Sequence, residues 1–157
     1  METSEKTQAL VDGAMKLFSV EIDDLYAILG MQLLARAEPT RAAGIVAFLS
    51  AVRHADKAVT FIDILRPGLS QRGEWLEIVH EELKRDGVRY LTEVSGDLRA
   101  VLCNDDIQRL SQQINRSNLH VMIMVVGAAL RISPDFESIC ATITVLLLKL
   151  GLRNLCA

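Results

Sequence analysis

The sequence predicts an all-α protein: a compact bundle of about seven to eight helices with an apolar C-terminal helix pair at its core. Three observations carry that expectation. Apolar residues recur at three- and four-residue spacing along most of the chain. Recognisable helix starts and stops punctuate it. No pair of alternating runs flanks a tight turn, so no hairpin is expected around Asp12-Gly13 or Asp86-Gly87.

The first helix is expected from about Ser4 to Phe18. Ser19 is then placed to cap a second, with Asp23 and Asp24 in its early turns, where the helix dipole favours acid. Leu25, Ile28, Leu29 and Leu33 form its apolar stripe. Pro39-Thr40 opens a third helix, whose face is Ile45, Leu49 and Val52. That face would next receive Asp56, so a break or change of register is expected near His54 to Lys57, followed by a short helix to Leu65.

Arg66-Pro67-Gly68 is a chain breaker. Ser70 is read as the cap of a helix carrying Trp75, Val79 and Leu83, closed by Asp86-Gly87. A separate amphipathic helix then runs through Leu91, Val94, Leu98 and Val101. Asn104-Asp105-Asp106 caps the next one, with Ile107, Leu110 and Ile114 on its face.

From Leu119 onward the composition changes. Only Arg131, Asp135, Glu137, Lys149 and Arg153 are charged in the last 39 residues. Leu119 to Leu130 is apolar nearly all round, the mark of a helix buried on most sides. Ser133-Pro134-Asp135 combines a cap, a first-position proline and first-turn acid. The helix it starts carries Phe136, Ile139, Cys140, Ile143, Leu146, Leu147 and Leu150 on one broad stripe, and Gly151 ends it.

The 157 residues are expected to form one helical domain, 1–157. Half of them are apolar and 24% are charged, so the chain can build a core without metals or cross-links. The net charge of −3 offers no broad attraction for nucleic acid or anionic lipid, and no nucleic-acid partner is expected. Cys103, Cys140 and Cys156 are widely spaced and odd in number, with no zinc-ligand spacing. They read as reduced thiols of a cytoplasmic protein, Cys140 in the core and Cys156 reactive. The first six residues show no basic and apolar leader pattern. No membrane span is expected, because the uncharged runs Val121–Leu130 and Ser138–Leu148 are each about half the roughly 20 residues a span needs.

No catalytic, cofactor or metal site is expected. His80-Glu81-Glu82-Leu83-Lys84 lacks the second histidine of a helical zinc pair. His54 and Asp56, two residues apart, do not face each other on a helix. His120 shares a strip with Gly127 and Arg131, either a solvent edge or a polar spot inside the bundle. Glu74, Glu77 and Glu81 read as a solvated acidic face. The fragment Gly44-Ile45-Val46-Ala47-Phe48 resembles a homology motif of the helical apoptosis-regulator family. It lacks that motif's Asn-Trp before the glycine and its following Arg, so no residue or role is carried over.

One feature leans toward a function. The stripe of the last helix is broad, and Val145 and Leu148 add apolar surface beyond it, more than a surface helix of a monomer needs. The expectation is a non-enzymatic interaction module or accessory subunit with a protein partner or a homo-oligomeric interface on that side. The basic loop from Arg66 to Arg72, ahead of Trp75, is a second place where a partner could be gripped. Two other classes compete: a helical protein that is membrane-active on a trigger, and an enzyme whose site is assembled from scattered residues.

Overall fold

The computed structural model describes residues 2–52 and 74–157, and every regular element among them is helical. In chain order these are α1 (Glu2–Leu17), α2 (Ile22–Ala37), α3 (Pro39–Val52), α4 (Glu74–Leu102), α5 (Asp105–Gln112), α6 (Arg116–Leu130), α7 (Glu137–Leu150) and α8 (Leu152–Cys156). A 3-10 turn, Pro134–Phe136, leads into α7. The all-α class and the apolar C-terminal pair are thus as expected, and α6 packs on α7. The expected break at His54 to Lys57, the short helix to Leu65, the Arg66-Pro67-Gly68 breaker and the Ser70 cap lie outside the described residues.

By its internal contacts the chain divides into two compact units: residues 1–22 with 90–157, and residues 23–89. In the first unit α7 is the central element, packed against α1, α6 and α8. Every residue from Ile139 to Leu147 is buried, Thr142 and Thr144 included. Two hydroxyls in an apolar core need acceptors. Each donates back along its own helix, Thr142 to the Ser138 carbonyl at 3.1 Å and Thr144 to the Cys140 carbonyl at 2.7 Å. Lys149, the one cation on α7, is explained by α1. Its Nζ donates to the carbonyls of Phe18, at 3.1 Å, and Val20, just past the end of that helix. An ammonium there suits the negative end of the helix dipole.

Several capping signals act as their residue types dictate. The Asn104 side chain accepts from the Ile107 N–H at 2.9 Å, and Asn115 does the same for Asn118 at 2.8 Å at the start of α6. Ser133 accepts from Asp135 N–H ahead of the proline. Gly151 ends α7 at φ 91°, a conformation side chains resist. Asp12 of α1 and Arg116 of α6 are ion-paired across this unit.

Three expectations are corrected. Asp86-Gly87 does not close a helix, because α4 runs unbroken through 29 residues. Gly87 serves packing instead. A Cβ built on it would lie 2.1 Å from the Tyr26 carbonyl oxygen, and one on Gly30 would lie 1.9 Å from that of Leu83. Tyr26 and Gly30 are four apart on α2, as are Leu83 and Gly87 on α4. The crossed pairing 26–87 and 30–83 makes the helices antiparallel in the second unit, with each glycine admitting the other helix's backbone. Ile114 is not on the face of α5, which ends at Gln112, and it is exposed. Cys103 and Cys156 are not reduced thiols; they form a disulfide with Cα atoms 5.5 Å apart. Cys140 is the free, buried cysteine, as expected.

No helix among the described residues is long and apolar enough to cross a membrane.

Candidate interaction surface

The residues expected to meet a partner fare differently. Val145 is 0% exposed and lies wholly within the core of its unit, with nothing left to offer a partner. Leu148 is half-buried. It lines an open groove of about 470 Å³ together with Gln108, Ser111, Leu152 and Arg153. Trp75 stands in the first turn of α4, and Arg66 and Arg72 lie outside the described residues.

The surplus apolar surface is found on α6 instead. Leu119, Met122, Ile123 and Val126 form the inward face and are buried. On the opposite side Val121 is 41% exposed and Met124 51% exposed, and Ser117 and Ala128 are exposed with them. Spacings of four, three and four put Ser117, Val121, Met124 and Ala128 on one stripe. No charged residue interrupts α6 between Arg116 at its start and Arg131, its C-cap, where φ is 54°. The helix reads as apolar all round because two faces meet different surroundings, one the core and one water. Scattered exposed apolar side chains are ordinary, whereas an aligned row is what interfaces use.

His120 is half-buried, and Gly127 on the same strip faces the Cys140 Sγ. Arg131 is exposed, so the strip runs from partial cover at His120 and Gly127 to open water at Arg131.

A polar pair that sequence reasoning missed lies in the second unit. The His80 Nε2 is 2.8 Å from the Asp24 Oδ1. The Asp24 side chain is 5% exposed and that of His80 17% exposed. A carboxylate only accepts, so the proton on this edge of the ring sits on Nε2, which fixes the imidazole's orientation. Lys84, one turn on, pairs with Asp23 at 3.4 Å. Burial raises the Tyr26 hydroxyl above the usual tyrosine pKa of 10.0, and the nearby Asp23 charge raises it further. Chemically the pair can hold an imidazole in one tautomer. Neither Asp24 nor His80 lines the groove of about 330 Å³ formed by Glu81, Lys84, Arg85, Val88 and Arg89. Asp24 and His80 are 56 positions apart, which left no local pattern to find.

No cluster of three or more His, Cys, Asp or Glu among the described residues is placed to hold a metal ion. No protein-family model, curated protein or solved structure matches the chain.

Proposed function

We propose that this protein is a helical interaction module that works through an apolar helix surface, and that the surface is the outer face of α6 covered by a second copy of the chain. The observation that carries the reading is the aligned exposure of Val121, Met124 and Ala128 on a helix that bears no charged residue after Arg116.

The choice of a second copy follows from the shape and charge of the stripe. Consider two α6 helices packed antiparallel about a two-fold axis between Met124 and Val125. The branched Val121 of each copy then faces the small Ala128 of the other, and Met124 faces Val125. At the two Val121–Ala128 contacts a larger residue meets a small one, as close packing requires. Arg131 faces Asn118 rather than another cation. The same patch serves both partners, as an isologous interface demands.

The test is the molar mass in solution by light scattering. The unaltered chain is expected as a dimer. Met124→Glu is expected to give a monomer with an unchanged far-ultraviolet spectrum, and Leu148→Glu to remain a dimer. A dimer that survives Met124→Glu and is split by Leu148→Glu would move the surface to α7. An unaltered chain that is monomeric throughout would end the reading.

A further inference from the structure

The Cys103–Cys156 disulfide has a place in the fold that suits more than cross-linking. Cys156 closes α8, and Cys103 directly follows the last residue of α4. A helix of five residues has no stability of its own, because helix nucleation costs more than so few hydrogen bonds return. Its position therefore depends on its attachments. Apart from the disulfide, those among the described residues are a hydrogen bond from Arg99 Nε to the Leu155 carbonyl at 2.7 Å, one from the exposed Asn154 Nδ2 to the Leu150 carbonyl at the end of α7, a weak one from Gln108 Nε2 to the Cys156 Sγ at 3.5 Å, and the burial of Leu152. Arg99 is exposed, and so is Cys103. The polar attachments thus compete with water, and Leu152 is the one fully buried side chain of α8.

The core of the unit is built differently. The buried run Ile139–Leu147 of α7 packs on α1 and α6, both outside α8. What α8 does cover is the end of α7. Leu152, Arg153 and Asn154 line the groove of about 470 Å³ together with Leu148.

We propose that Cys103–Cys156 is a reversible thiol latch: its reduction releases α8 and uncovers Leu148, while α1, α6 and α7 stay folded. The reductant is a dithiol. One of its thiolates attacks the Sγ of Cys103, the S–S bond breaks, and Cys156 leaves as a thiolate that takes up a proton. The second thiol of the reductant then attacks the mixed disulfide. Cys103 leaves as a thiol and the reductant closes into its own disulfide. Two electrons and two protons pass to the protein. Oxidation by a small disulfide runs the same steps in reverse and recloses the latch.

Amide hydrogen exchange on the full-length chain tests this, with and without dithiothreitol. Reduction is expected to lower protection across residues 152–157 by at least about tenfold and to leave α6 and α7 protected, since local openings of this kind occur well below the cost of global unfolding. Reoxidation is expected to restore the original pattern. Cys103→Ser is expected to show the released pattern without reductant. The latch is refuted if residues 152–157 keep their protection on reduction. It is equally refuted if α7 loses protection together with α8, because the disulfide is then a staple of the whole unit. Intact-mass analysis showing three free thiols in the air-oxidised protein would also overturn it.

Discussion

Gly30→Ala is the sharpest test of how α2 meets α4. The added Cβ would stand 1.9 Å from the Leu83 carbonyl oxygen, with the Leu83 carbonyl carbon at 2.7 Å. Real Cβ atoms keep at least 3.0 Å from such neighbours, so one helix must retreat by more than an ångström. The obstacle is backbone, and no rotamer change relieves it. Overpacking of this kind costs about 1–3 kcal/mol, and a backbone clash belongs at the upper end, about 3 kcal/mol. Alanine returns about 1 kcal/mol over glycine through helix propensity. The net loss expected is about 2 kcal/mol, or a fall in melting temperature of about 4–8 °C for a chain of this size. Gly13 and Gly96 are the controls. Both are exposed helix positions where a Cβ meets nothing within 4 Å, so alanine there is expected to stabilise by up to about 1 kcal/mol. Urea titrations of the three variants, followed by circular dichroism, give the comparison. If Gly30→Ala matched or exceeded the unaltered protein in stability, the close antiparallel contact would be refuted.

Further expectations concern the polar groups. Lys149→Met removes the ammonium from the carbonyls of Phe18 and Val20 and is expected to cost about 1–2 kcal/mol by urea unfolding, since the site is partly open to water. An unchanged midpoint would show that Lys149 merely rests there. His80→Ala takes this donor from the buried Asp24 carboxylate and is expected to cost about 2 kcal/mol, read as a lower melting temperature. Tyr26 has a raised pKa in the folded state, so the folded chain holds its proton where the unfolded chain has lost it. Its contribution is fully present below the unfolded value of 10.0 and is lost as pH rises through the folded value. Tyr26→Phe is therefore expected to lose less stability above that pH than the unaltered protein, and equal alkaline slopes would contradict the sign.

Local chemistry made much of the fold readable. Asn104, Ser133-Pro134 and Gly151 mark helix ends because capping is settled within a few residues. The run from Ile139 to Leu147 announces a core helix because it holds no charged residue on any face. Asp86-Gly87 misled because a glycine that ends a helix and one that admits a neighbouring backbone look alike in one dimension. The neighbour, Tyr26, is 61 residues away. The disulfide spans 53 residues and the Asp24–His80 contact 56, distances at which no spacing rule operates. The surplus apolar surface was legible in kind but was sought on α7 at Val145 and Leu148. A helix that is apolar all round has one face too many for a two-sided packing site, and that signal was present in Val121 and Met124. Which of two adjacent apolar helices lies at the centre is decided by α1. It packs on both, yet it leaves the Val121 and Met124 side of α6 open while α7 is enclosed.

The proposed interface joins two copies of this chain through the outer face of α6. Sedimentation equilibrium of the unaltered, oxidised protein over a range of concentrations tests it most directly. Pairing through α6 gives a mass that rises to twice 17.4 kDa and stops there, as a closed two-fold interface requires. A single species of 17.4 kDa at every concentration would contradict it.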